Sequence, residues 1–300
     1  MTDSAAYESV RDHLAGLQDS ICAGLEEIDG SRFQRESFEG PEGSVHRPRV
    51  LADGEVIEKA AVHFSGSVGR NLPPAATERR PELAGREYRA ASVSLIVHPR
   101  NPMAPTSHAN FRFFEAGDAW WFGGGFDLTP YYGFEEDCVQ WHRTAAEALS
   151  PFGPDIHARM KQACDTYFML PHRNEPRGIG GVFYDDLDTP DFATCFDLHR
   201  SVSGAYLQAY APILRTRAGM EYGEQQRQWQ LLRRGRYVEF NLLHDRGTRF
   251  GLEAGGRVES ILASLPPLVR WEYDHHPEAG TDEARLLEEF LVPRDWLTER

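Results

Sequence analysis

The sequence predicts an α+β fold, in which helices cover a mainly antiparallel sheet, from three observations. Strand-like segments come in hairpin-like groups instead of alternating strictly with helices, which favours an antiparallel sheet. Amphipathic helices stand at the N-terminus and in the middle of the chain, where they can cover that sheet. The 300 residues are 41% hydrophobic and 26% charged, as in ordinary globular proteins, and this length allows one large domain or two.

The N-terminal region is predicted to be one helix followed by extended chain. Aliphatic residues recur there at steps of three and four, namely Val10, Leu14, Leu17, Ile21, Leu25 and Ile28. That spacing predicts an amphipathic helix within residues 1–30, and Gly30 is a typical helix end. Residues 31–39 and 46–66 are predicted to be extended, and residues 71–81, which include three prolines, to form a loop.

The centre of the chain carries both strand and helix signals. The β-branched run at 93–97 and the segment 110–115 are predicted to pair as a hairpin. A further short strand is predicted at 182–184. Apolar residues at helical spacing predict three helices, over residues 134–149, 155–170 and 192–215.

The C-terminal region is predicted to mix short strands with helices. The predicted strands cover residues 237–243, 249–253 and 268–273. One helix is predicted over residues 258–265, and a last one over 281–291 with Thr281 as its N-cap.

Charge and hydropathy argue against a nucleic-acid-binding protein and against a membrane-spanning one. Lys and Arg number 32 and Asp and Glu 46, and the resulting net charge of −14 argues against nucleic acid as the main partner. No apolar run reaches the ~18 residues of a membrane-spanning helix, and the N-terminus has no signal-peptide pattern, so the expected location is the cytoplasm. The four cysteines form no CxxC pair, so we expect reduced core residues and no cysteine-held cluster.

The densest group of candidate functional residues lies on the predicted hairpin. Because alternate residues of a strand share a face, the polar residues of each strand point the same way. These residues are Ser94 and His98 on the first strand, and His108, Asn110 and Arg112 on the second. Burial of such a face costs free energy unless the face meets a ligand or solvent, so it is either a binding surface or a solvated sheet face.

The segment 120–127, with the sequence WWFGGGFD, follows this hairpin. Its glycines let the backbone approach a flat ligand closely. Asp127 follows bulky apolar residues, so we expect a partly desolvated carboxyl with a raised pKa, which suits proton transfer. The alternative is an aspartate that caps the turn before Leu128.

Other groups give weaker signals. An acidic cluster follows the predicted short strand and either holds a metal or caps the next helix; it consists of Asp185, Asp186 and Asp188. Gly255 and Gly256 follow a predicted strand and precede Arg257, which can reach a carboxylate ligand. The 12 histidines form no tight HxH or HxxxH pair, so their spacing predicts no metal site.

Several blocks together resemble the aerobic, oxygen-dependent coproporphyrinogen III oxidase family. The blocks are residues 97–102 (VHPRNP), 108–112 (HANFR), 120–130 (WWFGGGFDLTP), 172–181 (HRNEPRGIGG) and 185–188 (DDLD). The resemblance runs over nearly the whole chain, and several blocks in one order are far more specific than a single motif. The CxxxCxxC motif of the oxygen-independent radical enzyme is missing.

This resemblance implies a fold and a reaction. The implied fold is one domain over residues 1–300, with a flattened antiparallel sheet of about seven strands between layers of helices. The implied assembly is a homodimer whose interface lies within residues 237–272. In the implied reaction, two propionates of coproporphyrinogen III are oxidatively decarboxylated to vinyl groups, which gives protoporphyrinogen IX in haem biosynthesis. Molecular oxygen is the oxidant, carbon dioxide and hydrogen peroxide leave, and no organic cofactor is implied.

The resemblance also carries site residues over to this chain. Family substrate positions match Ser94, Asn110, Phe111, Arg112, Gly255, Gly256 and Arg257. The proton donor proposed for the family matches His108. Bacterial members are described with a metal, for which we expect a divalent ion such as Mn²⁺, at positions matching His98, His108, His142 and His172.

The substrate chemistry suggests roles for the charged residues. Four propionates carry about four negative charges at neutral pH, so we assign Arg112 and Arg257 as clamps for carboxylates. Asp127 is the expected catalytic acceptor of a pyrrole proton, and His108 the expected proton relay. Two other classes stay open: a tetrapyrrole carrier that consumes no oxygen, and a metal-dependent hydrolase built on the histidines and the acidic cluster.

Overall fold

The computed structural model describes residues 4–72, 80–253 and 255–298. Most of the loop predicted at 71–81 falls on residues 73–79, outside the described residues. Within the described ranges, one large antiparallel sheet lies between layers of helices, so the predicted α+β fold is confirmed.

The strands come mainly from the first two thirds of the chain. They are β1 (Gln34–Arg35), β2 (Phe38–Glu39), β3 (Val45–Ala52), β4 (Ile57–Gly69), β5 (Tyr88–Pro99), β6 (Thr106–Ala116), β7 (Ala119–Thr129), β8 (Met169–Leu170), β9 (Glu175–Pro176) and β10 (Gly180–Leu187). Eight of them form the main sheet, in the order β1-β3-β4-β5-β6-β7-β10 with β2 also paired to β3. Its pairings are all antiparallel, and β8 and β9 form a separate hairpin.

The described part of the chain contains eight α-helices. They are α1 (Ser4–Asp29), α2 (Glu135–Leu149), α3 (Ile156–Tyr167), α4 (Phe192–Ala218), α5 (Glu224–Leu243), α6 (Arg246–Glu253), α7 (Val258–Leu262) and α8 (Asp282–Arg285). The last continues as a π turn over Leu286–Phe290. Helix α1 ends where Gly30 adopts a φ of +84°, and the backbone N–H of Ala284 donates to Thr281, the predicted N-cap.

One face of the sheet is apolar and packs against α1 and α4. Alternate aromatic residues of β6 and β7 are fully buried there, namely Phe111, Phe113, Phe122 and Phe126. The two helices add further buried residues to the same core, among them Val10, Leu14, Ile21, Leu25, Val202, Tyr206 and Tyr210. Each large apolar side chain buried in this way contributes roughly 1.5–3 kcal/mol to folding, so this face is a main source of stability.

The opposite face is covered by α5, α6, α7 and the chain that follows them. Glu58 of β4 accepts hydrogen bonds from Arg227 and Arg234 of α5, each with an N···O distance of 2.6 Å. Beyond α7, the carbonyl of Ser264 accepts a hydrogen bond from His98 of β5 at 2.9 Å. Buried polar contacts therefore hold this cover on the sheet.

The prediction of three strands near the C-terminus is wrong, because none of these segments is a strand in the structure. Residues 237–243 belong to α5, where Tyr237, Phe240 and Asn241 are buried at helical spacing. Residues 249–253 belong to α6, and residues 268–273 form neither helix nor strand. Short apolar windows fit strand and helix patterns equally well, and the Arg- and Gln-rich start of α5 favours the helix.

The structure also bears on the cysteines and on membrane-spanning helices. All four cysteines are free and buried, as predicted. No helix among the described residues combines the length and apolar character needed to cross a lipid bilayer.

Candidate active site

Within each of the two central strands the polar residues share one face, as predicted, and the structure places both sets on the same face of the sheet. Ser94 of β5 lies opposite Asn110 of β6, and His108 of β6 lies opposite Asp127 of β7. Cross-strand partners in an antiparallel sheet stand side by side on one face. We call this face, with Ser94, His108, Asn110, Arg112 and Asp127, the polar face. All of these residues except Asp127 are partly exposed, so the face reaches solvent.

A buried ion pair occupies one end of the polar face. Asp127 is 1% exposed and Arg177, from the turn between β9 and β10, is 3% exposed. Arg177 donates from Nη2 to Oδ1 of Asp127 at 2.7 Å and from Nε to Oδ2 at 3.1 Å. Nδ1 of His108 also lies 2.8 Å from Oδ1. The carboxylate is thus bound on both oxygens.

The electrostatics of Asp127 differ from the prediction. Burial alone would raise the pKa of Asp127, but the charge of Arg177 and the hydrogen bond from His108 outweigh burial and lower it. The predicted raised pKa is therefore wrong, because the sequence pattern showed the apolar neighbours and not the cation. Asp127 is ionised at neutral pH and has no proton to donate there.

Arg177 is a site residue that the sequence analysis did not assign. Its guanidinium carbon lies 4.1 Å from the ring centre of Phe168 and 4.6 Å from those of Tyr237 and Phe240. Its Nη1 donates to Asn241 at 3.1 Å. Such a ring enclosure and ion pair fix the guanidinium firmly. Asp127 stands 50 positions away in sequence, so only the position of Arg177 inside the HRNEPRGIGG block pointed to it.

Arg112 lies farther along the polar face and is held by its neighbours. Its Nη1 donates to Asn110 at 2.9 Å and its Nη2 to Asp185 of β10 at 2.8 Å. A Cβ atom at Gly123 would stand 2.8 Å from this guanidinium. The glycines of this segment were expected to let the backbone approach a flat ligand. At Gly123 the missing side chain instead leaves room for Arg112 of the protein itself.

The acidic cluster pairs with arginines. Asp185 binds Arg246 at 2.9 Å in addition to Arg112, while Asp186 and Asp188 both accept hydrogen bonds from Arg80. The cap of α4 is Asp191, which accepts a hydrogen bond from the backbone N–H of Thr194, so the acidic cluster does not cap that helix.

Asp245 and Arg246, which the sequence analysis did not single out, join the same region. Asp245 accepts a hydrogen bond from Tyr167 at 3.1 Å, and the Arg246 guanidinium lies 4.9 Å from the centre of the Tyr167 ring. Burial raises the pKa of Asp245, but the charge of His108 and the hydrogen bonds from Thr248 outweigh it and lower the pKa.

The predicted site at Gly255, Gly256 and Arg257 lies in the cover over the polar face. These residues connect α6 to α7, so the expectation that they follow a strand is wrong. The Arg257 side chain is 47% exposed and pairs with Glu36 at 2.9 Å. Its charge is therefore open to solvent and shared with a surface carboxylate.

The four histidines of the expected metal site do not meet. Among residues 4–72, 80–253 and 255–298, no group of three or more His, Cys, Asp or Glu side chains is placed to hold a metal ion. His142 is buried beside the carbonyl of Ile179 at 3.1 Å, and His172 is exposed beside His244 and Glu239. The residues present therefore do not fit one metal centre within a chain.

His98 has both ring nitrogens occupied by the protein. Nε2 donates to the Ser264 carbonyl at 2.9 Å, because a carbonyl can only accept. Burial lowers the pKa of His98 well below its usual value, so the ring is neutral and Nδ1 accepts from the Thr106 hydroxyl at 3.1 Å. His98 ties the cover to the sheet.

The side chain of Phe111 lies away from the other predicted substrate-binding residues. It is fully buried in the apolar core on the other side of the sheet. Period-2 alternation separates it from Asn110 and Arg112, so only its backbone runs along the polar face.

A sequence model of the family described as coproporphyrinogen III oxidase matches residues 9–296. The match covers nearly the whole chain and includes all the site residues described above. The resemblance of the sequence blocks is thereby confirmed. The chain belongs to the coproporphyrinogen III oxidase family, a family of oxidoreductases in porphyrin biosynthesis.

Proposed function

We propose that this chain uses molecular oxygen to convert two propionates of coproporphyrinogen III to vinyl groups, which gives protoporphyrinogen IX. Each propionate loses carbon dioxide and two hydrogen equivalents, and one O₂ accepts these two hydrogens and leaves as hydrogen peroxide. The observation that carries the proposal is the polar face, where an ion-paired carboxylate and a histidine stand beside an Asn–Arg pair. No organic cofactor takes part in the proposed reaction.

Arginines near the polar face suit a polyanionic substrate. The four propionates of the substrate are ionised at neutral pH, so it carries about four negative charges. Arg112 and Arg246 both pair with Asp185, and a substrate carboxylate can compete for these donors. Arg257 is a further candidate because its exposed side chain sits on the cover.

His108 is the proposed site of proton exchange. Its Nδ1 faces Asp127, so Nε2 is the nitrogen available to a ligand on the partly exposed side. Both Asp127 oxygens already accept hydrogen bonds, so we assign Asp127 to orienting His108 and Arg177 instead of binding a pyrrole N–H directly.

The proposed oxidation needs substrate positioning above all. Removal of a pyrrole proton raises the electron density of the ring, and O₂ can then add at the adjacent α-carbon as a hydroperoxide. The hydroperoxide, which carries the proton first taken from the pyrrole nitrogen, leaves as hydrogen peroxide with a hydrogen of the propionate methylene next to the ring. The carboxylate leaves as carbon dioxide, its bonding pair completes the vinyl double bond, and the pyrrole nitrogen takes up a proton from solvent. Correct positioning alone contributes up to ~7–11 kcal/mol in favourable cases.

We also propose a homodimer that uses the C-terminal cover. Large apolar side chains are exposed there, namely Leu242, Leu243, Leu252, Leu268, Trp271 and Tyr273. Large apolar side chains left exposed on one segment are typical of protein interfaces. Sedimentation of the purified protein should give the mass of two chains, and a single 33.9 kDa species would contradict the dimer.

One assay tests the proposed reaction against its alternatives. Purified protein receives coproporphyrinogen III in aerated buffer, and porphyrins are separated by chromatography while an electrode records oxygen. We expect vinyl products and one O₂ consumed per vinyl formed. Binding without oxygen uptake would instead indicate a carrier. A parallel sample treated with chelator tests the metal, and full activity after exhaustive chelation would show that turnover does not need it.

A further inference from the structure

The hydroxyl of Tyr237, on α5, is buried and has no hydrogen-bond partner among the residues that the structure describes. Its side chain is 2% exposed, and its oxygen reaches no donor or acceptor in the described part of the chain. A buried polar group without a partner destabilises the folded state. A buried polar group of this kind needs an explanation, and one explanation is a ligand that forms the missing hydrogen bond.

Other buried tyrosines show that this fold normally satisfies its phenols. Tyr206 bonds Ser107 at 2.7 Å, Tyr210 donates to the Pro105 carbonyl at 3.0 Å, and Tyr184 bonds His199 at 2.8 Å. These three lie on the apolar side of the sheet or within its core. Tyr237 differs from them by lying on the side of the polar face.

The surroundings of Tyr237 place it at the His108 end of that face. The Arg177 guanidinium lies 4.6 Å from the centre of its ring, and the His98 ring meets it edge to face at 5.4 Å. Arg177 in turn holds Asp127 and lies 3.4 Å from His108. The phenol therefore belongs to the same cluster as the proposed proton-exchange residue.

The chemistry of this phenol suits an anionic ligand. A tyrosine phenol carries its proton at neutral pH and can donate a hydrogen bond. A neutral phenol donates a strong hydrogen bond to a carboxylate, because the acceptor is charged. The proposed substrate offers carboxylates on all four propionates.

We propose that Tyr237 is a further substrate-binding residue, whose hydroxyl donates a hydrogen bond to a propionate carboxylate of the tetrapyrrole. This inference rests on the proposed function. Because no residue in the described part of the chain bonds this hydroxyl, its hydrogen bond is available to the substrate.

The test compares Tyr237→Phe with the wild type and with a matched control. Affinity for coproporphyrinogen III is measured under nitrogen, where binding occurs without oxidation, and thermal unfolding is followed in parallel. Tyr237→Phe should weaken binding by about 10- to 100-fold, the loss of one hydrogen bond to a charged group, without lowering the unfolding midpoint. Tyr210→Phe, which removes a satisfied hydroxyl, should lower the midpoint and leave affinity within twofold.

Two results would overturn the inference, and a substrate analogue tests the carboxylate. Unchanged affinity in Tyr237→Phe would exclude a substrate contact, and a midpoint lowered as in Tyr210→Phe would show that the free protein already uses the hydroxyl. The tetramethyl ester of the substrate keeps the pyrrole N–H groups but has no charge, so an equal loss with the ester would refute the carboxylate assignment. Failure of the proposed function is a separate result, because the wild type would then not convert the substrate in air.

Discussion

The two faces of the central hairpin have the same backbone and opposite properties. On one face, Phe111 and Phe113 are fully buried against helices. On the other, His108, Asn110 and Arg112 stay partly exposed and form charged or polar pairs. Because alternate residues of one strand point to opposite sides, a single hairpin separates stability from chemistry. Substitutions on the two faces should therefore change different measurable quantities.

The largest expected effect is on the polar face, in Asp127→Asn. The variant keeps the shape but loses the charge that orients His108, so kcat should fall by roughly 10²–10⁴-fold. It also leaves the buried Arg177 uncompensated, at a cost of about 3–5 kcal/mol in the free energy of unfolding. The measurements are kcat for vinyl formation and unfolding by urea. Asp191→Asn, at a cap where asparagine serves equally well, is the control; near-normal kcat in Asp127→Asn would remove Asp127 from the site.

On the apolar face, Leu14→Ala should act on stability alone. Leu14 of α1 is fully buried, so we expect a loss of about 2–5 kcal/mol in the free energy of unfolding, with kcat and KM of the folded enzyme unchanged. Leu17→Ala on the same helix should cost less, because Leu17 is only partly buried. A changed KM in Leu14→Ala would show that the two faces are coupled.

His98 tests how the cover is held over the polar face. In His98→Gln the amide nitrogen can replace Nε2 and keep the bond to Ser264, whereas the shorter side chain in His98→Asn cannot reach it. We expect His98→Asn to raise KM several-fold and to speed tryptic cleavage after Arg246, Arg249 and Arg257, while His98→Gln stays close to the wild type. Equal loss of activity and of bound metal in both variants would instead favour the metal-ligand role.

The last prediction is a pH dependence of the free energy of unfolding that comes from the apolar side. His199 of α4 is buried beside Tyr184, and burial lowers its pKa to about 3. Between pH 6.5 and 3 the unfolded chain binds a proton that the folded chain does not, so stability falls as pH falls, by up to ~1.4 kcal/mol per pH unit. Urea unfolding between pH 6 and 4 should show a shallower slope for His199→Asn. Identical slopes would mean that His199 does not titrate as described.

The sequence was informative where local pattern decides structure. The alternation on β5 and β6 predicted the shared polar face, and helical spacing predicted α1 and α4. The sequence analysis failed at 237–243, where seven residues fit a strand and a helix equally well. These residues are helical because they continue the helix that begins at Glu224. It also predicted the wrong direction for the pKa shift of Asp127, because Arg177, the cation that lowers this pKa, comes from a turn distant in sequence.

By itself, then, the sequence determined the α+β class, the polar residues of the hairpin and the family blocks, since these depend on neighbours along the chain. Only the tertiary structure brought Arg177 to Asp127, tied His98 to Ser264 and left the Tyr237 hydroxyl without a partner among the described residues. The physical reason is that charge pairing and hydrogen-bond satisfaction depend on distances across the fold, which no local pattern encodes.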